Sequence, residues 1–258
     1  MNLQNAFGIG LYSYSILSLS GKDFHAYYDL IVSTLDGLEL APTYIALEGE
    51  GFKGDLVKVG GRSHVKALKS GFSGVRTLSI VVNPEESVSP GYDSFLSASL
   101  SHVDESQETV LSFSAEERLI EFGGKRFKSL LESLIRLHSW DFGFALTQPI
   151  DKRPEFHVLG LDNGKLTPEE HRRLADWYSS PQNERVKKIR DVYPVNIIND
   201  TQLHGKQLHG KSLSDMILQD PHSSLSKTDD GKLWVWEVES DAIATVRERI
   251  RGSGVLIT

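Results

Sequence analysis

The side chains best suited to chemistry gather between residues 204 and 222, where His204, His209, Asp215, Asp220 and His222 bring imidazoles and carboxylates together. Such groups ligate zinc or act as general bases, so a metal-dependent hydrolase using His204, His209, Asp215 and His222 is the enzyme reading of this chain. The spacing argues against it. His204 and His209 occupy equivalent places in a tandem repeat, Gln202-Leu203-His204-Gly205-Lys206 followed by Gln207-Leu208-His209-Gly210-Lys211. Imidazoles five residues apart across a glycine do not share a helix face, so tertiary structure would have to assemble any ligand set. The segment reads better as a polar loop, with no metal and no cofactor expected.

Other catalytic signatures are missing. Gly60-Gly61-Arg62-Ser63-His64 lacks the second glycine and the Gly-Lys-Ser/Thr ending of a phosphate loop. Gly8-Ile9-Gly10 has no third glycine at dinucleotide spacing, and neither Gly-x-Ser-x-Gly nor His-Glu-x-x-His occurs. A restriction-type nuclease would show an acidic residue shortly before Glu-x-Lys on a hairpin, which Glu248-Arg249 does not supply. With no cysteine in 258 residues, thiolate zinc sites, iron–sulfur clusters, disulfides and Cys nucleophiles drop out together. The chain is expected not to be an enzyme.

The remaining candidates are carboxylates. The net charge is −7, and it is unevenly placed: residues 1–120 carry 15 acidic and 8 basic side chains, whereas residues 121–258 carry 20 of each. Much of the excess lies in three short stretches, Glu48 with Glu50, Glu85 with Glu86, and Asp104 with Glu105 and Glu108. Each interrupts or ends an apolar run, as a loop does. A solvated surface that keeps the protein soluble is one reading; a negative field that steers a basic partner is the other. An acidic chain does not suit nucleic acid, whose phosphates need a basic surface. No run of 18 apolar residues exists, and Met1–Ser20 has no Lys or Arg before its apolar stretch, which Ser13, Ser15 and Ser18 break. Neither a membrane span nor a signal peptide is expected, and a cytoplasmic location follows.

The elements that must position these residues are a mixture of strands and amphipathic helices. Phe7–Ile16 reads as a strand, and Phe24, Tyr28, Ile31, Val32 and Leu35 give a helix over Lys22–Asp36 that Gly37 ends. Tyr44–Leu47, Asp55–Val59 and Val75–Val82 are strands, Phe95–Val103 and Thr109–Ser114 an antiparallel hairpin, and Arg118–Phe122 a further strand. Phe127, Leu130, Leu131, Leu134, Ile135 and His138 form one face of a helix over Lys125–Ser139. Trp140–Leu146 then echoes Phe7-Gly8-Ile9-Gly10-Leu11, which suggests a second strand-led unit.

Thr167-Pro168-Glu169-Glu170 is a helix start with a capping box. Val195–Ile198 and Lys232–Glu239 are strands, Ser212 caps a short helix to Leu218, Ser240 caps a last helix, and Val255–Ile257 closes the chain as a strand. The fold class is α+β, a mixed, mainly antiparallel sheet packed with amphipathic helices. It divides into an acidic subdomain over 1–139 and a second over 140–258, or forms one continuous domain.

The last third carries a resemblance. Tyr193-Pro194-Val195-Asn196-Ile197-Ile198-Asn199, Gly210-Lys211-Ser212-Leu213, Leu233-Trp234-Val235-Trp236-Glu237-Val238 and Val246-Arg247 before a terminal Gly-x-Gly-Val-Leu-Ile resemble the bacterial immunity protein 52 family over about residues 140–258. The resemblance implies a protein that protects its producing cell by binding a polymorphic or type VI secreted toxin, commonly a nuclease of restriction-endonuclease-like fold, and it brings no catalytic residues. Trp234 and Trp236 lie two apart and so share a sheet face, either as a core pair or as a partly exposed platform. A nuclease must carry a basic substrate groove. The expected partner-binding residues are therefore the acidic ones, Glu48, Glu50, Glu85, Glu86, Asp104, Glu105 and Glu108, with the residues of the resemblance as scaffold. A non-inhibitory adaptor or chaperone of the toxin is the remaining alternative.

Overall fold

In the computed structural model, residues 4–14, 19–83, 94–162, 164–205 and 212–257 are described. Ten strands run through them: β1 (Asn5–Ser13), β2 (Tyr44–Gly49), β3 (Phe52–Lys58), β4 (Val75–Val82), β5 (Leu96–Val103), β6 (Glu108–Glu116), β7 (Phe142–Pro149), β8 (Val195–Ile198), β9 (Ser223–Lys227) and β10 (Trp234–Val238). They form one sheet in the order β3-β2-β4-β5-β6-β1-β7-β8-β10-β9. Every neighbouring pair is antiparallel. The class is α+β.

The helices are α1 (Gly21–Asp36), α2 (Arg62–Lys69), α3 (Lys125–Arg136), α4 (Pro154–Leu159), α5 (Pro168–Ser179), α6 (Gln182–Lys187), α7 (Asp200–His204), α8 (Leu213–Leu218) and α9 (Ile243–Ile250). Strand alternation splits them between the two faces of the sheet. On the first face, α1 buries Phe24, Tyr27, Ile31 and Leu35, and α3 buries Phe127, Leu130, Leu131, Leu134 and Ile135. These meet Phe7, Ile9, Ile45, Leu78 and Phe113 in one cluster, each large side chain contributing about 1.5–3 kcal/mol by leaving water.

The second face can be followed along a single cross-strand row: Leu56, Ala46, Ser79, Ser99, Ser112, Gly10, Phe144, Asn196, Trp236, Leu225. The row changes character at Gly10. From β1 onward, α4 and α5 cover Tyr12, Phe142, Phe144 and Tyr193, and the cluster around Trp236 takes in residues of α7, α8 and α9. On β6, β5 and β4 the row is of hydroxyl side chains, Ser112, Ser99 and Ser79, opposite the face on which α1 packs, before Ala46 and Leu56 end it.

Several elements depart from the sequence expectation. Arg118–Phe122 is a turn in which Leu119 N–H bonds Glu116 O at 3.0 Å; its apolar run serves to bury Ile120. The segment Trp140–Leu146 that echoes β1 leads into β7, which lies beside β1 with Gly8 opposite Leu146 and Gly10 opposite Phe144. The sheet is thus continuous across residue 139. Ala242, not Ser240, is the N-cap of α9, and Val255–Ile257 contributes one parallel bridge, Leu256 to Ile189. The box at α5 forms as its spacing predicts, with Glu170 N–H donating to Thr167 Oγ1 at 3.2 Å and Thr167 N–H to Glu170 Oε2 at 2.6 Å.

Candidate functional site

Antiparallel pairing brings two of the three acidic stretches of the first half to one end of the sheet. β2 ends at Glu48 and Gly49 and β4 starts opposite them at Val75, while β5 ends at Val103 opposite Glu108, the first residue of β6. Glu48, Glu50, Asp104, Glu105 and Glu108 therefore share that end, separated along the chain but aligned in space. Glu85 and Glu86 lie outside the described residues.

The end is less negative than the sequence alone suggests, because cations from elsewhere interleave with it. Arg76 Nη1 bonds Asp104 Oδ2 at 3.1 Å, and His102 Nε2 stands 3.4 Å from the other carboxylate oxygen. Glu108 faces Arg185 Nη1 at 3.9 Å. Lys53 stands directly across from Glu48, and Lys66 Nζ bonds Gly51 O at 3.0 Å while lying over the Phe52 ring. Among the described residues, Glu48, Glu50 and Glu105 make no ion pair, and all three are exposed.

The same end is tied to the second half of the chain. Arg185 of α6 donates to Tyr14 Oη, Tyr178 O and Ser180 O, and Gln182 Nε2 donates to Ser106 O in the β5–β6 turn. Burial and then the Glu108 carboxylate push the Tyr14 phenol far above its ordinary range, so it stays a neutral donor and acceptor.

Beside this rim lies the hydroxyl face of β4 and β5. Ser79 Oγ and Ser99 Oγ are 2.9 Å apart, and Thr77 Oγ1 donates to Ser101 Oγ at 3.4 Å. At the other end of this face, where α4 begins, is a cavity of about 370 Å³ lined by Ser97, Ser114, Glu116, Arg153, Glu155 and Lys165. Burial pushes the Glu155 carboxyl up, and Ser114 Oγ donates to it at 3.5 Å. Arg153 holds φ 51° as the N-cap of α4. Sequence reasoning missed this cavity because its residues come from β5, β6, the start of α4 and the segment between α4 and α5, with no local motif; the serines alternating through β5 were the one available signal.

The described residues of the imidazole-bearing stretch do not converge. His204 lies on α7 with its ring against Trp234, Asp215 caps α8 through Ser212, and His222 pairs with Glu239 at 2.7 Å. His209 lies outside the described residues. Among the described residues, no three His, Asp or Glu side chains are placed to hold a metal ion.

Gly210 and Lys211 of the resemblance lie outside the described residues, and several of its described residues bond to one another and to the backbone around them. Asn196 Nδ2 donates to Tyr193 O at 2.7 Å and to Trp236 O, while Tyr193 N–H donates to Asn196 Oδ1 at 3.0 Å. Asn199 caps α7 and reaches Asp141 O and Val186 O, each at 2.9 Å. Trp236 is fully buried, whereas Trp234 is half-buried with its indole N–H donating to Asp200 Oδ1 at 2.7 Å. Arg247 bonds buried Asp191, which Arg173 also grips at 3.2 Å.

The chain is similar in fold to Pseudomonas aeruginosa T6SS protein PA0821. That solved structure superposes with a TM-score of 0.64 over 98% of this chain and 73% of its own, at 14% identity. At that identity the likeness establishes a shared fold. A second solved structure, the toxic C-terminal tip of CdiA from Pseudomonas aeruginosa in complex with immune protein, matches at a TM-score of 0.29 and 10% identity over 57% of this chain and 88% of that one, too slight to define a shared fold. No curated protein sequence and no protein-family profile matches the chain. No helix among the described residues is long and apolar enough to cross a membrane.

Proposed function

We propose that this chain is an immunity protein that binds a secreted toxin, of the nuclease class, and neutralises it stoichiometrically without catalysis. The observation that carries the reading is the fold shared along nearly the whole chain with a T6SS protein, which agrees with the resemblance of residues 140–258 to the immunity protein 52 family. The internal bonding of Tyr193, Asn196, Asn199 and Trp236 supports a scaffold role for the residues of that resemblance, leaving the contact surface elsewhere. The acidic end of the sheet supplies such a surface. Glu48, Glu50 and Glu105 are exposed there and make no ion pair among the described residues, although Lys53 stands across from Glu48, and this supports their meeting the basic groove that a nuclease needs for its substrate.

The test is co-purification with the polypeptide encoded by the neighbouring gene, followed by co-expression with it. Binding together with rescue from killing supports the proposal. Failure to bind, or binding without rescue, ends it, the second result favouring an adaptor.

A further inference from the structure

The sheet has two edges, and they are finished differently. β3 is seven residues long, carries Lys53, Asp55 and Lys58, and shifts register against β2 between Ala46 and Glu48. Charges and an irregularity of this kind keep an edge from pairing with another chain. β9, Ser-Ser-Leu-Ser-Lys, pairs with β10 in unbroken register from Ser223 to Lys227 and carries a single charge at its last residue.

The backbone of β9 divides cleanly between its two sides. Thr228 N–H donates to Leu233 O and Glu239 N–H to His222 O, both at 3.0 Å, and Leu225 lies opposite Trp236. Bonding in an antiparallel ladder alternates, so Ser224 and Ser226 face β10 while the N–H and C=O of Leu225 and Lys227 face outward. On the side-chain side, Leu225 packs at the margin of the cluster around Trp236, next to α8. Leu218, the last residue of α8, is 75% exposed, the most of any large apolar side chain described.

We propose that β9 pairs antiparallel with β9 of a second copy about a two-fold axis at Leu225, continuing the sheet from one subunit into the next. The self-register is free of conflict: Leu225 meets Leu225 of the second copy, and Ser223 meets Lys227, so no like charges oppose one another. A two-fold normal to the sheet keeps both α8 helices on one face. The interface is isologous and closes at two copies. This inference does not depend on the toxin-binding reading.

Sedimentation equilibrium of the full chain from about 1 to about 300 µM is expected to show mass rising from monomer to dimer. Leu225→Pro removes an outward N–H, which edge strands tolerate, together with the part of the Leu225 side chain that packs beside α8, so this variant should stay folded and monomeric with a modestly lowered unfolding midpoint. The chain has no cysteine, which makes a second measurement clean. Cα atoms of a hydrogen-bonded antiparallel pair lie about 5.5 Å apart, inside the disulfide range. Oxidised Leu225→Cys should therefore form a covalent dimer, and Leu56→Cys on the guarded edge should not. A monomer at every concentration, a dimer undiminished in folded Leu225→Pro, or equal crosslinking of the two cysteine variants would overturn the proposal.

Discussion

Val158 of α4 rests on the bare backbone of Gly10 in β1: a Cβ added to that glycine would lie 2.7 Å from Val158 Cγ1. Its neighbour on the same face, Gly8, would meet Val158 Cγ2 at 2.8 Å. The two glycines make a shallow notch at the middle of the sheet that seats a helix of only six residues. Tyr12 completes the seat by donating its hydroxyl to Val158 O. Gly10→Ala is therefore expected to destabilise the protein by about 1–3 kcal/mol, since the rigid sheet leaves the extra methyl nowhere to go. Urea unfolding measures this, and Val158→Ala in the same chain should recover part of the loss if the clash is local.

That relationship shows what pattern reading can and cannot reach. Periodicity located α1 and α3 because Phe24, Ile31 and Leu35, or Phe127, Leu131 and Leu134, repeat at helical spacing and meet the core directly. The glycines of β1 were legible only as an incomplete nucleotide motif, because their partner lies some 150 residues further on. β9 was not legible: Ser-Ser-Leu-Ser-Lys has no apolar alternation, and the β10 ladder holds it as a strand. At the candidate site the acidic residues were visible, yet their cations, Arg76 and Arg185, are brought to them only by the fold. Charge counted along a chain gives the sum and not the pairing.

Acid should weaken the protein through His157. Burial, with Arg190 nearby, holds this imidazole neutral down to about 3, with Nε2 3.1 Å from Tyr193 Oη. In the unfolded chain it protonates near pH 6.5, so stability is full above that value and falls as pH drops from 6.5 towards 3. Between pH 7.5 and 4.5 its share of the loss is about 2–3 kcal/mol. His64 and His138, also lowered by burial, act in the same direction. Urea midpoints at the two pH values give the slope, and His157→Phe should flatten it; an unchanged slope would mean that the imidazole is not buried neutral.

Asn196 should be costly to replace although it touches no candidate contact residue. Its carboxamide satisfies Tyr193 N–H and two carbonyls inside the sheet, where water cannot substitute. Asn196→Ala leaves these groups unpaired, and about 1–3 kcal/mol of stability should be lost. The remaining folded protein should bind its partner with unchanged affinity, because the residue is scaffold. A thermal melt combined with a titration separates the two effects, and a large affinity loss in folded protein would move the interface towards residues 193–199.

The acidic end offers a graded prediction, because its carboxylates are not equivalent. Glu48, Glu50 and Glu105 are exposed and make no ion pair among the described residues, whereas Asp104 is bonded to Arg76. Charge reversal of the first three should slow association with a basic toxin about tenfold or more at low salt and flatten the salt dependence, with stability changed by no more than about 0.5 kcal/mol. Asp104→Asn should behave differently. It releases Arg76 at the same end, so the local field becomes more positive by a whole charge, while the loss of a half-exposed ion pair costs stability only about 0–1 kcal/mol. Stopped-flow association at two ionic strengths distinguishes the cases. If Glu48→Lys with Glu50→Lys, and separately Glu105→Lys, leave the rate and its salt dependence untouched, steering by this end is refuted, and the hydroxyl face of β4 and β5 becomes the surface to examine next, through Ser79→Arg and Ser99→Arg.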